Sequence, residues 1–517
     1  MPANTGAHSA SRMRSGWVAL GVPATLAIIT ICLQRYGLSA LAVEHEAIRG
    51  WLAGDGLYAY RAPGSQAGAA LPPAMAVLLA PLTLFPLHLA GWLLAVAGIA
   101  ALLLIVLIIA GPIARRHGRR RAPVVLAVSA LALLAEPVRA ALGQGRPELL
   151  ILALLAADLV ALRHAARSRH HAADVRPTPQ TSASLRTIAA RRLLRRPHPS
   201  GIRRLLQRPP TFAIRRALGG PRVLAIRRVP GEPRIRRVLR GPRAFRTHRA
   251  DMHTHPLRTG VASLGTGPLR RAWTSGSWAG AGIGLATAVS VTPLLFIVYL
   301  LVTRQRRAAL TALGTAAAVT ALTLTVAPAE TIAWFGRTMW ELDRPAPISD
   351  PTNQSLAGVM ARLYDVPAPP VLVWFSFSML LVAVGLIRAR SAHAAGDEVA
   401  AFTLVGLTTA VTGPVTTAPE SLWLIPAVLV LADTGLRRYV SLHPSRPTRF
   451  AGPVHLAAAV LGYLTLISTP DWSLRWNIPA FGLILLVNTL PWRRGAPARP
   501  TPVTTTRRAA IPLPRGG

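Results

Sequence analysis

Long apolar runs separated by short basic loops dominate the pattern along this chain. The runs from Trp92 to Pro112 and from Pro369 to Ile387 each reach the roughly 20 residues that a helix needs to cross a bilayer. Similar runs recur along most of the sequence, and a buried helix of a soluble protein would explain one of them but not many. We therefore predict an all-α fold, a polytopic transmembrane helical bundle with roughly 10–12 hydrophobic segments, some of them half-helices or re-entrant.

Proline interrupts two of these runs at positions that predict broken helices. A helix from Pro123 to about Gly143 contains Pro137, which removes a helical hydrogen bond. The run from Gly280 to Leu301 begins and ends at basic loops, although about 20 residues cannot cross a bilayer twice. We expect that run to form two half-helices that separate at Thr292 and Pro293.

Arginine positions orient the chain, because short cytoplasmic loops carry the positive excess. They place both termini inside and three loops outside: residues 34–70, 327–368 and 413–421. The first apolar run, Trp17 to Leu33, follows Arg12 and Arg14 and also has the form of a cleavable signal peptide. Since many spans follow it, we interpret this run as an uncleaved anchor of a multi-pass plasma-membrane protein.

The net charge of +39 is carried by arginine alone and is concentrated in one segment. Between His164 and Ser275 there are 26 arginines against three acidic residues, and an Ile-Arg-Arg triplet recurs among prolines and glycines. Such a composition cannot bury enough apolar surface to offset chain entropy. We predict a disordered cytoplasmic insertion at 164–275, membrane halves at 1–163 and 276–492, and a basic cytoplasmic tail at 493–517.

Two interpretations of this insertion stay open. Cationic clusters beside a span attract anionic membrane lipids, whereas a low-complexity expansion needs no specific partner. We expect contact with membrane lipids and no specific nucleic-acid partner. The single cysteine, Cys32, gives no disulfide framework.

Polar groups within a span are costly in hydrocarbon and therefore mark candidate sites. Glu136 and Arg139 are three residues apart, on one face of the helix that begins near Pro123, and Gln144 follows them. One interpretation is a self-neutralising ion pair in a kinked helix. The other places Arg139 near an anionic headgroup, with Glu136 fixing its guanidinium group.

Two further sets of polar residues lie in predicted outside loops. Glu44 and Glu46 stand close to the first span, where a carboxylate suits general-base work on a sugar hydroxyl. A second loop holds four candidate substrate-binding residues, Asn353, Gln354, Ser355 and Arg362. Gln354, Gly358 and Arg362 follow one another at intervals of four residues, so one helix face could present them together. That face would either bind substrate or be turned to solvent.

Several short motifs, in their order along the chain, resemble those of glycosyltransferase family 87. They are Leu57-Tyr58, Pro72-Pro73, Ala135-Glu136-Pro137-Val138-Arg139 with Gly143-Gln144, Ala157-Asp158-Leu159, Gly284-Leu285-Ala286 before Val291-Thr292-Pro293, and Asn353-Gln354-Ser355-Leu356 with Gly358 and Arg362. The resemblance covers the chain from about Trp51 to Pro426, apart from the insertion. It implies a membrane fold of the GT-C class.

The resemblance also implies an activity. It is transfer of a hexose, typically mannose, from a polyprenyl-phosphate sugar donor to a lipid or glycan acceptor outside the cytosol, without a nucleotide sugar, a metal or another cofactor. Displacement at the anomeric carbon needs a base for the acceptor hydroxyl and an arginine for the departing phosphate.

The chain departs from the family pattern at the expected base. The family has an aspartate after the first span and a tyrosine four residues later, and these positions are Ala40 and Glu44 here. A late motif that ends in two histidines in the family reads Gly413 to Glu420 here. The hypothesis is therefore a membrane hexosyltransferase in which Glu44 or Glu46 replaces the aspartate. The alternatives are a catalytically silent homologue that binds polyprenyl lipid or a partner enzyme, and a lipid or sugar transporter or flippase.

Overall fold

Helices form the regular structure of the described residues, in agreement with the predicted all-α fold. The computed structural model describes residues 23–63, 67–175, 276–440 and 451–493. Before the insertion the helices are α1 Pro23–Tyr36, α2 Ser39–Ala53, α3 Pro73–Leu79, α4 Leu87–Arg116, α5 Arg121–Leu134, α6 Glu136–Gln144 and α7 Glu148–Val175.

The second half of the membrane domain begins at Gly276. Its helices are α8 Ala281–Val289, α9 Leu294–Val302, α10 Arg306–Val326, α11 Pro328–Gly336, α12 Leu356–Leu363, α13 Val371–Ala394, α14 Glu398–Thr412, α15 Leu424–Val440, α16 Ala451–Ile467, α17 Asp471–Arg475 and α18 Ile478–Thr489. Short 3₁₀ helices precede α4 and α15, at Ala80–Leu84 and Pro419–Trp423.

Within the described ranges, five helices are long and apolar enough to cross a membrane, or up to seven if each of two bent pairs forms one span. The most apolar of the five is α4. In α10 and α13 only 17% and 11% of the most apolar window is buried by protein, so most of their surface is left for lipid. The chain is a multi-pass membrane protein.

Two of the three breaks described below lie where the prolines of the sequence predict them, and the break between α1 and α2 was not predicted. Helices α5 and α6 meet at 71°, with Pro137 in the first turn of α6. The predicted half-helices α8 and α9 are confirmed, since α8 ends at Val289 and α9 begins at Leu294. Helices α1 and α2 meet at 75° because Gly37 and Leu38 adopt left-handed backbone conformations between them.

The residues assigned to the insertion are described only at their start. Helix α7 continues through His164 to Val175, so the first 12 residues of the predicted insertion are helical. The remainder, 176–275, lies outside the described residues, as do the tail beyond Arg493 and the first six residues of the predicted anchor, 17–22.

A buried carboxylate joins the two halves of the membrane domain across the insertion. Asp158 of α7 is fully buried. Its oxygens accept hydrogen bonds from the backbone N–H groups of Gly280, at 3.0 Å, and Ile283, at 2.5 Å. These groups lie at the N-terminus of α8, where helical N–H groups lack intrahelical partners. The bonds therefore fix the start of the second half against the end of the first.

Helix α14 lies at the centre of the second half and is buried along almost its whole length. Small residues let its neighbours approach closely, as is usual between membrane helices. Gly385 of α13 lies against Thr408, and Gly406 lies against the indole ring of Trp423. A side chain at either glycine would overlap its neighbour.

Replacing Gly406 by alanine tests this packing. The added methyl group would overlap the Trp423 indole, and overpacking of a core costs about 1–3 kcal/mol. We expect Gly406→Ala to lower the midpoint of thermal unfolding in detergent. The matched control is Gly314→Ala in α10, where nothing lies within 4 Å of the new atom and better helix propensity should leave stability equal or slightly higher. Equal midpoints for both variants would contradict the packing described.

Candidate functional site

A single arginine gathers carboxylates from three parts of the chain. Arg146 lies between α6 and α7, and its Nη1 atom is 3.2 Å from Glu420 Oε1 and 3.5 Å from Glu148 Oε1. The Glu44 carboxylate of α2 also interacts electrostatically with this guanidinium group. We call these four residues the Arg146 cluster.

Backbone conformation brings α2 against the loop that carries Arg146. Gly145 adopts a left-handed conformation with φ of 73° at the end of α6. A Cβ atom there would lie 2.6 Å from Cβ of Leu41 in α2, so only glycine permits this approach. The Leu38 N–H also donates a hydrogen bond of 3.0 Å to the Gly143 carbonyl. Together these contacts place Glu44 beside Arg146.

The carboxylates of the Arg146 cluster are only partly satisfied. Glu420 Oε2 accepts hydrogen bonds from the backbone N–H and hydroxyl of Thr417, at 2.8 and 2.6 Å. The Oε2 atoms of Glu44 and Glu148 are buried and accept no hydrogen bond within the described part of the chain. Burial lowers the pKa of Arg146, but the three carboxylates outweigh it and raise that pKa above its ordinary value. The cluster therefore holds a permanent cation beside carboxylate oxygens that are free to accept a proton.

The other predicted base, Glu46, lies in a different environment. Its side chain is 48% exposed, and it stands 3.5 Å from the exposed Arg49 guanidinium group and 3.6 Å from His45. An exposed pair of this kind is well hydrated. Of the two predicted bases, only Glu44 belongs to a cluster of buried polar atoms.

Glu136 and Arg139 form the ion pair that their spacing allows. Arg139 Nη2 donates to Glu136 Oε2 at 2.8 Å and to the Ile467 carbonyl at 2.7 Å. Glu136 Oε1 accepts a further hydrogen bond of 2.6 Å from the Tyr36 hydroxyl. The geometry favours the structural interpretation, in which this pair ties α6 to α1 and α16. Gln144, by contrast, is half-buried and forms no hydrogen bond with the described residues.

The predicted outside loops at 327–368 and 413–421 are joined by buried hydrogen bonds. Asn353 donates from Nδ2 to the Ile348 and Pro414 carbonyls at 2.9 and 3.0 Å, and its Oδ1 accepts from the Thr416 N–H at 2.9 Å. The Ser355 hydroxyl donates to the Pro414 carbonyl at 3.0 Å. These bonds form a clamp, which holds the loop that carries Glu420.

Gln354 and Arg362 extend this clamp to the chain before α18. Gln354 Nε2 donates to the Leu474 carbonyl at 3.1 Å, and the Arg362 guanidinium group donates to Asn477 Oδ1 at 3.1 Å through Nε. The expected shared helix face is wrong for Gln354, because α12 begins at Leu356 and Ser355 is its N-cap. The alternative of a solvent-facing helix is also wrong, since Asn353, Gln354 and Ser355 are at most 5% exposed.

Arg344, which the sequence analysis did not single out, joins the loops 34–70 and 327–368. It is buried, and its Nε donates to the Ala69 carbonyl at 2.7 Å and its Nη1 to Glu341 at 2.7 Å. A further bond reaches the Tyr58 carbonyl. Hydrogen bonds from Arg344 and Arg337 outweigh desolvation and hold the pKa of Glu341 below its ordinary value. All three loops predicted to lie outside thus meet at one end of the bundle.

A groove opens at the same end, between α3, α8, α10 and α11. Its walls combine apolar and threonine side chains, and they include Pro73, Val291, Thr323, Trp334 and Phe335. Trp334 stacks on Tyr58 with ring centroids 6.0 Å apart. Among the described residues, no group of His, Cys, Asp or Glu is placed to hold a metal ion.

Comparison with known proteins gives this arrangement its context. The profile of glycosyltransferase family 87 matches residues 71–175 and 257–414, just over half of the chain. The chain belongs to glycosyltransferase family 87. No solved structure matches it.

Curated relatives carry the names of lipid-dependent mannosyltransferases. A polyprenol-phosphate-mannose-dependent alpha-(1-2)-phosphatidylinositol mannoside mannosyltransferase of Mycobacterium tuberculosis is 33% identical over 159 residues, 31% of this chain and 37% of the relative. A pentamannoside mannosyltransferase of Mycolicibacterium smegmatis is 27% identical over 220 residues, 41% of this chain and 52% of the relative. The chain thus spans about a third to a half of the length of these relatives.

The Arg146 cluster contains two residues at which this chain differs from the motifs of family 87. By the resemblance of the sequence motifs, Glu44 takes the place of the family's tyrosine after the first span, and Glu420 takes the place of the last histidine of the late motif. Both lie outside the residues that the family profile matches. Two departures from the family pattern therefore meet at one arginine. The sequence analysis did not single out Arg146, although it lies only two residues after Gln144 of a family motif.

Removing the Asn353 side chain tests the clamp. Asn353→Ala deletes hydrogen bonds within the loop 327–368 and to the loop 413–421. Each buried hydrogen bond contributes about 0.5–1.5 kcal/mol to stability. We expect faster amide hydrogen exchange in residues 413–421 and a lower midpoint of unfolding. The control is Asn488→Ala, since exposed Asn488 bonds only to Ile484 in its own helix. Unchanged exchange at 413–421 would show that Asn353 does not hold this loop.

Proposed function

We propose that this member of family 87 transfers a hexose from a polyprenyl-phosphate sugar to a lipid or glycan acceptor. The observation that carries the proposal is the Arg146 cluster, in which a buried and unpartnered Glu44 oxygen lies beside a fixed cation. The names of the curated relatives favour mannose as the hexose and a glycolipid as the acceptor.

The reaction requires one base that takes the proton from the hydroxyl group of the acceptor substrate. The acceptor oxygen attacks the anomeric carbon as the bond between that carbon and the donor's phosphate oxygen breaks. Glu44 Oε2 takes the hydroxyl proton, and polyprenyl phosphate leaves with the bonding electron pair. Burial favours the protonated form of the Glu44 carboxylate, and the positive charge of Arg146 opposes this effect. Glu420 and Glu148 hold Arg146 in place. The Gln144 side chain, which forms no hydrogen bond with the residues that the structure describes, is available to a sugar hydroxyl.

The donor also needs a place for its isoprenoid chain. The groove between α3, α8, α10 and α11 has apolar walls, and α10 leaves most of its surface to lipid. Helix α3 packs between α2 and α8, since Ile48, Met75 and Val289 share one buried cluster. This arrangement supports entry of the donor from the bilayer, beside the helix that carries Glu44.

A pair of glutamates on the same helix tests the proposed base. We expect Glu44→Gln to reduce hexose transfer by about 10²–10⁴-fold, the usual contribution of a general base. Glu46→Gln removes an equal charge from an exposed position and should retain the unmodified rate. The measurement is transfer of labelled hexose from a synthetic polyprenyl-phosphate donor by purified protein. Equal rates for the two variants would remove Glu44 from the mechanism.

The same assay separates the other candidate functions. A silent homologue would bind the donor without transferring the hexose. The unmodified protein and the Glu44→Gln variant would then give the same result. A flippase would move labelled donor across a sealed vesicle without transferring its hexose. Either outcome would replace the transferase proposal.

We propose that the end of the bundle that carries the Arg146 cluster faces the outside of the plasma membrane. The basic loops at the opposite end support this orientation. In a Cys32→Ala background, Asp343→Cys should react with an impermeant thiol reagent in intact cells, because Asp343 is exposed in the loop 327–368. Ala394→Cys, exposed at the opposite end of α13, should react only after permeabilisation. The reverse labelling pattern would mean that the end carrying the Arg146 cluster faces the cytoplasm.

A further inference from the structure

A second polar pocket lies at the opposite end of the bundle from the Arg146 cluster. Helix α7 carries Glu148 of that cluster at its start and Arg163 of this pocket 15 residues later, about 22 Å along the helix axis. The pocket lies where the ends of α4 and α15 meet the middle of α7, the start of α14 and the chain after α18. Its charged walls are formed by Arg116, Arg163, Arg437, Arg493, Asp397 and Asp433.

The two aspartates of this pocket are already paired. Asp397 accepts from the backbone N–H of Arg493 at 2.9 Å and from its Nε at 3.3 Å. Asp433 lies 3.1 Å from Arg437 Nε and 3.2 Å from His117 Nε2. Both carboxylates are almost fully buried. Four guanidinium groups thus face two carboxylates, and the pocket keeps an excess of positive charge.

Two of the arginines remain without a hydrogen bond. Neither Arg116 nor the half-buried Arg163 forms one with any residue that the structure describes. Glu398, another carboxylate near Arg163, already accepts hydrogen bonds from His393 at 2.6 Å and Tyr299 at 3.1 Å. The Arg163 guanidinium group is partly removed from water without a partner, which is unfavourable, whereas Arg116 is exposed beside it. An anion between Arg116 and Arg163 would relieve that cost.

The rest of the pocket wall is apolar and reaches into the membrane-spanning part of the bundle. Ile109, Ile113 and Val430 line it. Ile109 precedes Arg116 by seven residues on α4, which is about 10 Å along the helix axis. A free phosphate ion would gain nothing from this surface. The head of a phospholipid combines a phosphate with the start of its acyl chains, and it matches both parts of the pocket.

We propose that this pocket binds the phosphate of an anionic phospholipid headgroup, held by Arg116 and Arg163 at the end of the bundle opposite the Arg146 cluster. Basic pockets between membrane helices are suited to such headgroups. Arginine is well suited to this contact because its planar group can donate two parallel hydrogen bonds to phosphate oxygens. The proposal is independent of the transferase activity.

The test is native mass spectrometry of the full-length protein in detergent, titrated in separate arms with phosphatidylglycerol, phosphatidylcholine or inorganic phosphate. We expect phosphatidylglycerol to be retained in preference to phosphatidylcholine, and Arg163→Gln to weaken its binding at least about five-fold. Arg390→Gln is the matched control, because Arg390 is exposed at the same end of the bundle and does not line the pocket. If Arg163→Gln fails to fold, Arg116→Gln, at an exposed position, provides the same comparison.

Two outcomes would overturn the proposal. Equal loss of phosphatidylglycerol from Arg163→Gln and Arg390→Gln would mean that surface charge alone attracts the lipid. Binding of inorganic phosphate that depends on Arg163, without preference for phosphatidylglycerol over phosphatidylcholine, would assign the pocket to a free ion instead of a lipid.

Discussion

The proposed chemistry depends on the interaction of the Arg146 guanidinium group with the carboxylates around it. Arg146 lies in a loop of only three residues between α6 and α7, and it is held by Glu148 from the following helix and Glu420 from a loop 274 residues later in the chain. A partly buried cation of this kind is stable only where carboxylates compensate its loss of hydration. Three carboxylates near one arginine exceed that need, and the surplus leaves Glu44 able to accept a proton.

The position of this arginine is set by contacts that lie outside the cluster. The clamp around Asn353 fixes the loop that carries Glu420, and Arg344 fastens the loop after α2 to the loop before α12. Across the insertion, Asp158 holds the start of α8 against α7. Most of these bonds pair a side chain with a backbone carbonyl or N–H group, which loops at the end of a membrane bundle would otherwise leave unsatisfied. The polar residues of the family motifs therefore serve mainly to join loops.

Local features of the fold were predictable from the sequence, because their causes are local. Proline positions predicted the break between α5 and α6 and the separation of α8 from α9. The Glu136–Arg139 pair followed from a spacing of three residues on a helix. The spans followed from apolar length alone.

The composition of the site was less predictable, because its contacts join residues far apart in the sequence. Nothing in the spacing of Arg146 and Glu420 indicates that they meet, and the same is true of Arg344 and Ala69. Gln354 was expected on a helix face, but the Ser355 hydroxyl accepts a hydrogen bond from the Gly358 N–H and starts the helix after it. Glu44 was a candidate in advance because it lies in an outside loop close to the first span, and because its position departs from a family pattern.

The central claim is that the Arg146 cluster supports catalysis although the family's aspartate and histidines are replaced. The most direct measurement is transfer of labelled mannose from synthetic polyprenyl-phosphate mannose to phosphatidylinositol mannosides by the purified, unmodified protein in lipid nanodiscs. We predict that the label appears in the glycolipid, with polyprenyl phosphate released in equal amount. Donor that is bound but remains intact with every acceptor offered would contradict the account and identify the protein as a silent member of its family.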